Sequence, residues 1–217
     1  VLSIIGILVV GSANESYQNK QIFGVVIGLV VMAIVSLIDY VWITNFYWIL
    51  YGMSVFMLAI VLIPGIGVYV NGARRWINLG FTNFQPSELA KILLIIFFAK
   101  FIMKHEEDLS EKQTILKAVI LIAIPLALIF KEPNLSTTIC TATLFCFLMY
   151  VGGLSYRFIG TVLLITIPVA VIFLSIVVQP NQKLLDNYQQ KRILAWLEPE
   201  KYASDEAYQQ NNSVMAI

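Results

Sequence analysis

The sequence predicts an all-α fold, a polytopic bundle of transmembrane helices, on two observations. Of its 217 residues 59% are hydrophobic and 12% charged, with a mean hydropathy of +0.82, too apolar for a soluble domain of this size. The apolar residues also fall into runs long enough, at ~1.5 Å of rise per helical residue, to cross a hydrocarbon core ~30 Å thick.

Taken in order, the expected spans are 22–38, 46–63, 86–103, 115–130, 135–151 and 158–178, with a short seventh at 1–12. The chain opens on Val1 without a Met or a basic leader, so residues 1–12 read as the second half of a helix rather than as a signal peptide. Residues 209–217 end as apolarity rises again, and the 217 residues are therefore expected to be an internal fragment. Residues 104–117, with His105, Glu106, Glu107, Asp108 and Glu111, read as a solvated connector. Lys131-Glu132-Pro133-Asn134 reads as a tight turn between two spans, with Pro133 in the first turn of the next helix, where its missing N–H costs nothing. That helix is rich in small and hydroxyl residues, Ser136, Thr137, Thr138, Thr141, Ala142 and Thr143, and is expected inside the bundle.

Residues 179–217 read as an extracytoplasmic loop. Leu184, Leu185 and Tyr188, then Ile193, Trp196 and Leu197, recur at helical spacing among Lys183, Lys191 and Arg192. That pattern fits a helix lying in the membrane interface, or an ordinary amphipathic helix packed on a loop. Cys140 and Cys146, six apart in one span, do not share a helical face and read as buried thiols. A net charge of +1 and the absence of a basic tail give no argument for nucleic acid. Basic residues near the spans number four on one side (Lys20, Arg74, Arg75, Lys131) and five on the other (Lys100, Lys104, Lys112, Lys117, Arg157), so the positive-inside rule does not orient the chain.

The chemistry is expected between Gly72 and Lys91, GARRWINLGFTNFQPSELAK, where a polar, doubly basic loop leads into a helix. Pro86 suits the first helical position, which puts Ser87, Glu88 and Lys91 in the first two turns, with Glu88 and Lys91 on one face. The helix dipole favours Glu88 there but gains nothing from Lys91. An ammonium beside hydrocarbon needs a partner or water, so the pair is expected to face a polar cavity in the bundle, the alternative being a purely structural ion pair. Arg74-Arg75-Trp76 offers planar guanidinium donors and an interfacial ring, suited either to a phosphate-bearing headgroup substrate or to plain anchoring on anionic lipid.

Gly72-Ala73-Arg74-Arg75-Trp76-Ile77-Asn78-Leu79-Gly80 followed by Phe84-Gln85-Pro86-Ser87-Glu88-Leu89-Ala90-Lys91 resembles the signature of the SEDS family, the RodA and FtsW proteins of bacterial cell-wall synthesis. Asp39-Tyr40 at the end of the second span, Glu132-Pro133-Asn134-Leu135-Ser136-Thr137 against the family's (E/Q)PDLGT, and Tyr208-Gln209 to Ile217 against the start of YQxxQSxxAIGSG carry the resemblance along almost the whole chain. It departs at Asn134, where the family more often has Asp, and at Ser136, where it has Gly. The family's essential Asp, in PExHTDF, lies beyond Ile217, and neither Asp186 nor Asp205 stands in for it.

The resemblance implies a bundle of about ten spans when complete, in the bacterial cytoplasmic membrane. It implies a peptidoglycan glycosyltransferase that polymerises lipid II into glycan strands, with undecaprenyl diphosphate leaving. It also implies a class B penicillin-binding protein as transpeptidase partner within the elongation or division machinery, with RodA-like elongation favoured. The 217 residues alone are expected to be inactive. On this reading Glu88 and Lys91 support catalysis, and Arg74, Arg75, Trp76, Gln85, Ser87, Glu132 and Asn134 bind substrate. No metal ligand set or cofactor is evident, though a divalent cation is compatible with the chemistry. Two other classes fit the same residues: a transporter that flips lipid-linked precursor, and a scaffold that activates a penicillin-binding protein without catalysis.

Overall fold

The structure, a computed structural model, describes residues 1–70, 73–80, 83–179, 185, 187–198, 212 and 215. Gly72, Pro180, Lys183, Leu184, Asp186, Asp205 and the Tyr208–Ile217 motif apart from Asn212 and Met215 lie outside the described residues. The chain divides into two compact units, Val1–Phe46 and Tyr47–Ile217.

In the first unit α1 (Leu2–Ala13) and α2 (Glu15–Ser36) form a helical hairpin about Asn14. Extended backbone at Asn14 ends α1, and its side chain accepts the N–H of Ser16 at 3.0 Å, capping α2. None of α2's described side chains is buried within the unit, although Phe23, Val26, Leu29, Val30 and Ile34 are large and apolar. Apolar surface all round a helix belongs in lipid or against other spans. Asp39 caps the short α3 (Tyr40–Asn45), accepting the N–H of Val41 at 2.8 Å.

The second unit contains α4 (Tyr47–Val61), β1 (Gly67–Val70), β2 (Ala73–Asn78), β3 (Asn83–Phe84), α5 (Pro86–Lys104), α6 (Lys112–Lys131), α7 (Leu135–Val151), α8 (Tyr156–Val177) and α9 (Asn187–Leu197). The segment expected as a polar loop before α5 is thus an antiparallel three-stranded sheet in the order β1-β2-β3. Its β-branched and aromatic residues Val68, Trp76 and Ile77 fit a pleated surface. The turn out of β2 uses Gly80 at φ 88, a left-handed conformation open to glycine, and Asn78 accepts the Gly80 N–H at 2.7 Å. β2 packs against α4 and α5.

α5 is the axis of the unit. Ala90, Leu94, Phe97, Phe98, Phe101 and Ile102 are buried at three- and four-residue spacing, one helical stripe facing the core. Against it stand Tyr47, Trp48 and Tyr51 of α4, whose rings lie 5.7, 5.1 and 4.6 Å from that of Phe97. The Tyr51 hydroxyl donates to the Leu121 carbonyl of α6 at 2.9 Å, tying α4 to α6. In α7 the hydroxyls of Thr138 and Thr141 donate to the carbonyls one turn back, Asn134 and Thr137, at 2.9 and 2.7 Å. These bonds let polar side chains sit within the bundle with their donors satisfied. The turn before α7 differs from expectation: Asn134 is the N-cap, so Pro133 precedes the helix instead of opening it.

The chain direction puts the C-terminal ends of α4 and α6, the sheet, and the N-terminal ends of α5 and α7 together at one end of the bundle. Leu58, Ala90 and Ile129 pack together there. At the opposite end Lys104 Nζ donates to the Tyr47 hydroxyl at 3.2 Å. Beyond α8, Gln190 of α9 donates to the carbonyls of Val177 and Gln179 at 2.9 and 3.0 Å, docking α9 on the end of α8. Ala195 is buried and Trp196 exposed, the two-sided character of an amphipathic helix.

Candidate functional site

The sheet end of the bundle gathers most of the residues singled out in the sequence. Gln85, in extended conformation, stands at the N-cap position of α5 without a side-chain cap bond, and Pro86 occupies the first turn. With its own N–H bonding impossible, Pro86 leaves the helix start to its neighbours. Gln85 Nε2 donates to the Oγ of the buried Ser87 at 3.1 Å. One turn on, Lys91 Nζ lies 2.9 Å from Glu88 Oε1. The Lys91 side chain is 19% exposed and that of Glu88 58%, so the carboxylate stands at a rim and the ammonium reaches inward. An ion pair this open contributes at most about 1 kcal/mol to stability. Its consequence is to fix where the ammonium sits.

Lys91 lies at one end of a crevice between α5, α6 and α7. Its walls are two helical stripes, Lys91, Leu94, Ile95 and Phe98 on α5 and Thr141, Leu144, Phe145 and Leu148 on α7, with Ile122 of α6. The cavity expected beside the pair is therefore apolar except for Lys91 and the Thr141 hydroxyl, a correction to the polar cavity the sequence implied.

The basic residues are carried by β2. Arg74 is registered with Tyr69 and Trp76 with Val68, and the register shifts between Val68 and Tyr69, which makes Arg75 the extra residue on β2. Such a bulge bends its strand and re-aims a side chain. Arg74, Arg75 and Trp76 are all half-buried on the sheet.

The charge of Arg75 reaches Glu132, in the turn between α6 and α7. Glu132 is fully buried, and neither carboxylate oxygen has a hydrogen-bond partner among the described residues. Burial pushes its pKa up, to about 8, while Arg75 pulls it down; burial dominates. Asn134, also buried, accepts the Thr137 N–H at 3.4 Å through Oδ1, and its Nδ2 likewise has no partner among the described residues. A stranded buried polar atom costs on the order of 1–3 kcal/mol. Gln85, Ser87, Glu88 and Lys91 thus cluster on α5, and Arg75, Glu132 and Asn134 form a second polar group at the same end. Thr141 was not singled out for the site from sequence; its only signal was membership of a hydroxyl-rich helix. Among the described residues no three His, Cys, Asp or Glu side chains are placed to hold a metal ion.

A family model described as cell cycle protein, covering FtsW, RodA and SpoVE, matches residues 2–217. The peptidoglycan glycosyltransferase MrdB of Escherichia coli strain K12 is 30% identical over 224 residues, covering 100% of this chain and 56% of its own length. FtsW of Saccharophagus degradans, named a probable peptidoglycan glycosyltransferase, is 32% identical over 234 residues, covering 100% of this chain and 57% of its own. A solved structure of a peptidoglycan synthase complex that coordinates polymerization and crosslinking superposes with a TM-score of 0.79 at 26% identity, over 99% of this chain and 61% of that one. The chain spans about half the length of the curated relatives it matches.

Proposed function

Because this chain belongs to the FtsW/RodA/SpoVE cell cycle protein family, we propose that the complete protein polymerises lipid II into peptidoglycan glycan strands in the bacterial cytoplasmic membrane. A sugar hydroxyl of the acceptor attacks the anomeric carbon of the donor, and the bond to undecaprenyl diphosphate breaks. Such a reaction needs cations where the diphosphate gathers charge and a base for the hydroxyl proton. Lys91 is the ammonium for the leaving diphosphate, Glu88 its positioning partner, and Arg74 and Arg75 the guanidinium donors at the same end. Gln85 and Ser87 brace the helix start, and Trp76 sits at headgroup depth. A class B penicillin-binding protein crosslinks the product.

The observation that carries this reading is Lys91, held 2.9 Å from Glu88 at the end of a slot walled by apolar side chains. The ammonium meets the diphosphate while the polyprenyl tail stays in the surrounding lipid. The full-length protein, purified in detergent and given labelled lipid II, should yield glycan polymer sensitive to muramidase. Movement of lipid II between leaflets of a vesicle without polymer would replace the enzyme by a transporter.

A further inference from the structure

The resemblance implied that Glu132 binds substrate, yet its side chain is fully buried. It stands in the turn outside α6 and α7, fully buried, with both oxygens lacking a hydrogen-bond partner among the described residues and the amide nitrogen of Asn134 in the same condition. Buried polar atoms are nearly always paired, so exceptions in a folded protein call for an explanation. The charge that Glu132 feels is that of Arg75, and Arg75 is the one residue of β2 that the bulge adds to the strand. The strand irregularity and the buried acid therefore concern the same guanidinium.

We propose that Glu132, assisted by Asn134, is a positioning residue that holds the Arg75 guanidinium from inside the protein so that its outer N–H donors face the diphosphate of the lipid-linked donor. The inference rests on the reading of the preceding subsection. Two pieces of geometry support it, since the bulge delivers Arg75 to the sheet end of the bundle and the α6–α7 turn presents a carboxyl at that same end. The acid's proton makes the device effective. With its pKa near 8, Glu132 is mostly uncharged at neutral pH, so its oxygens, unbonded among the described residues, are free to accept from the guanidinium when the diphosphate binds without cancelling the charge that the diphosphate needs. A permanent carboxylate there would compete with the substrate for Arg75.

The test uses the full-length protein in detergent at pH 7 with farnesyl diphosphate as probe. Glu132→Gln keeps a neutral acceptor and should bind within about 3-fold of wild type. Glu132→Met removes, at similar volume, two buried oxygens that make no hydrogen bond among the described residues; it should unfold no more readily than wild type yet bind about 10-fold more weakly. Arg75→Ala should weaken binding to a similar degree, and Glu132→Met added to Arg75→Ala should weaken it no further. Additive losses, or a Glu132→Met protein that binds as wild type does, would overturn the inference while leaving the polymerase reading intact. A wild-type protein that binds no farnesyl diphosphate would overturn the inference, and one that in addition forms no polymer from lipid II would overturn the polymerase reading with it.

Discussion

Two ionisable side chains at one end of this bundle behave in opposite ways, and the contrast comes from exposure. Glu88 keeps water and a cation, so its pairing with Lys91 costs little; Glu132 has lost both water and hydrogen bonds. The pKa of Glu132 is raised in the folded chain, to about 8 from 4.5. The folded state therefore binds more protons than the unfolded one between those values, and stability falls as pH rises through that window. We expect the melting temperature of the full-length protein to drop between pH 5 and pH 8, by an amount worth up to a few kcal/mol, and the drop to be largely absent in Glu132→Gln. A wild-type melting temperature that rises steadily over that range would contradict the assignment. The Glu88–Lys91 contact was legible from sequence, because residues three apart on a helix share a face. The burial of Glu132 was not. It depends on tertiary packing around the turn between α6 and α7, and local spacing carries no record of that.

Among the elements, the helices were the most legible part, since hydropathy reports lipid-facing and bundle-facing residues alike. Their ends were less so: α2 begins at Glu15, whereas hydropathy starts the corresponding run at residue 22, because a helix continues past the hydrocarbon into polar residues. The sheet of residues 67–84 was missed. Two arginines and several glycines gave the segment the composition of a loop, while Val68, Tyr69, Val70, Trp76 and Ile77 supplied strand residues too few to stand out beside membrane spans. That sheet hangs on Gly67, where a Cβ would overlap the carbonyl oxygen of Val61. Since backbone must move to relieve this, Gly67→Ala should destabilise the sheet by at least about 1 kcal/mol and weaken farnesyl diphosphate binding through displaced Arg74 and Arg75. Thermal unfolding and binding measured together check this; an unchanged variant on both counts would show that the sheet does not carry the site.

For the molecule as a whole, fold class and family were legible because apolar length and a contiguous motif are both local properties of the chain. The shape of the slot was not, since it arises from α5, α6 and α7 meeting. The proposed reaction places the sheet end at the outer face of the membrane. In a cysteine-free background of the full-length protein, Lys131→Cys should then react with an impermeant maleimide in intact cells, and Glu107→Cys only after permeabilisation. The reverse pattern would put the site on the wrong side for glycan assembly. If the ammonium of Lys91 meets the charge of the departing diphosphate, full-length Lys91→Ala should fold and polymerise labelled lipid II at least about 100-fold more slowly than wild type. Polymer formed at the wild-type rate would show that the ammonium takes no part in the step.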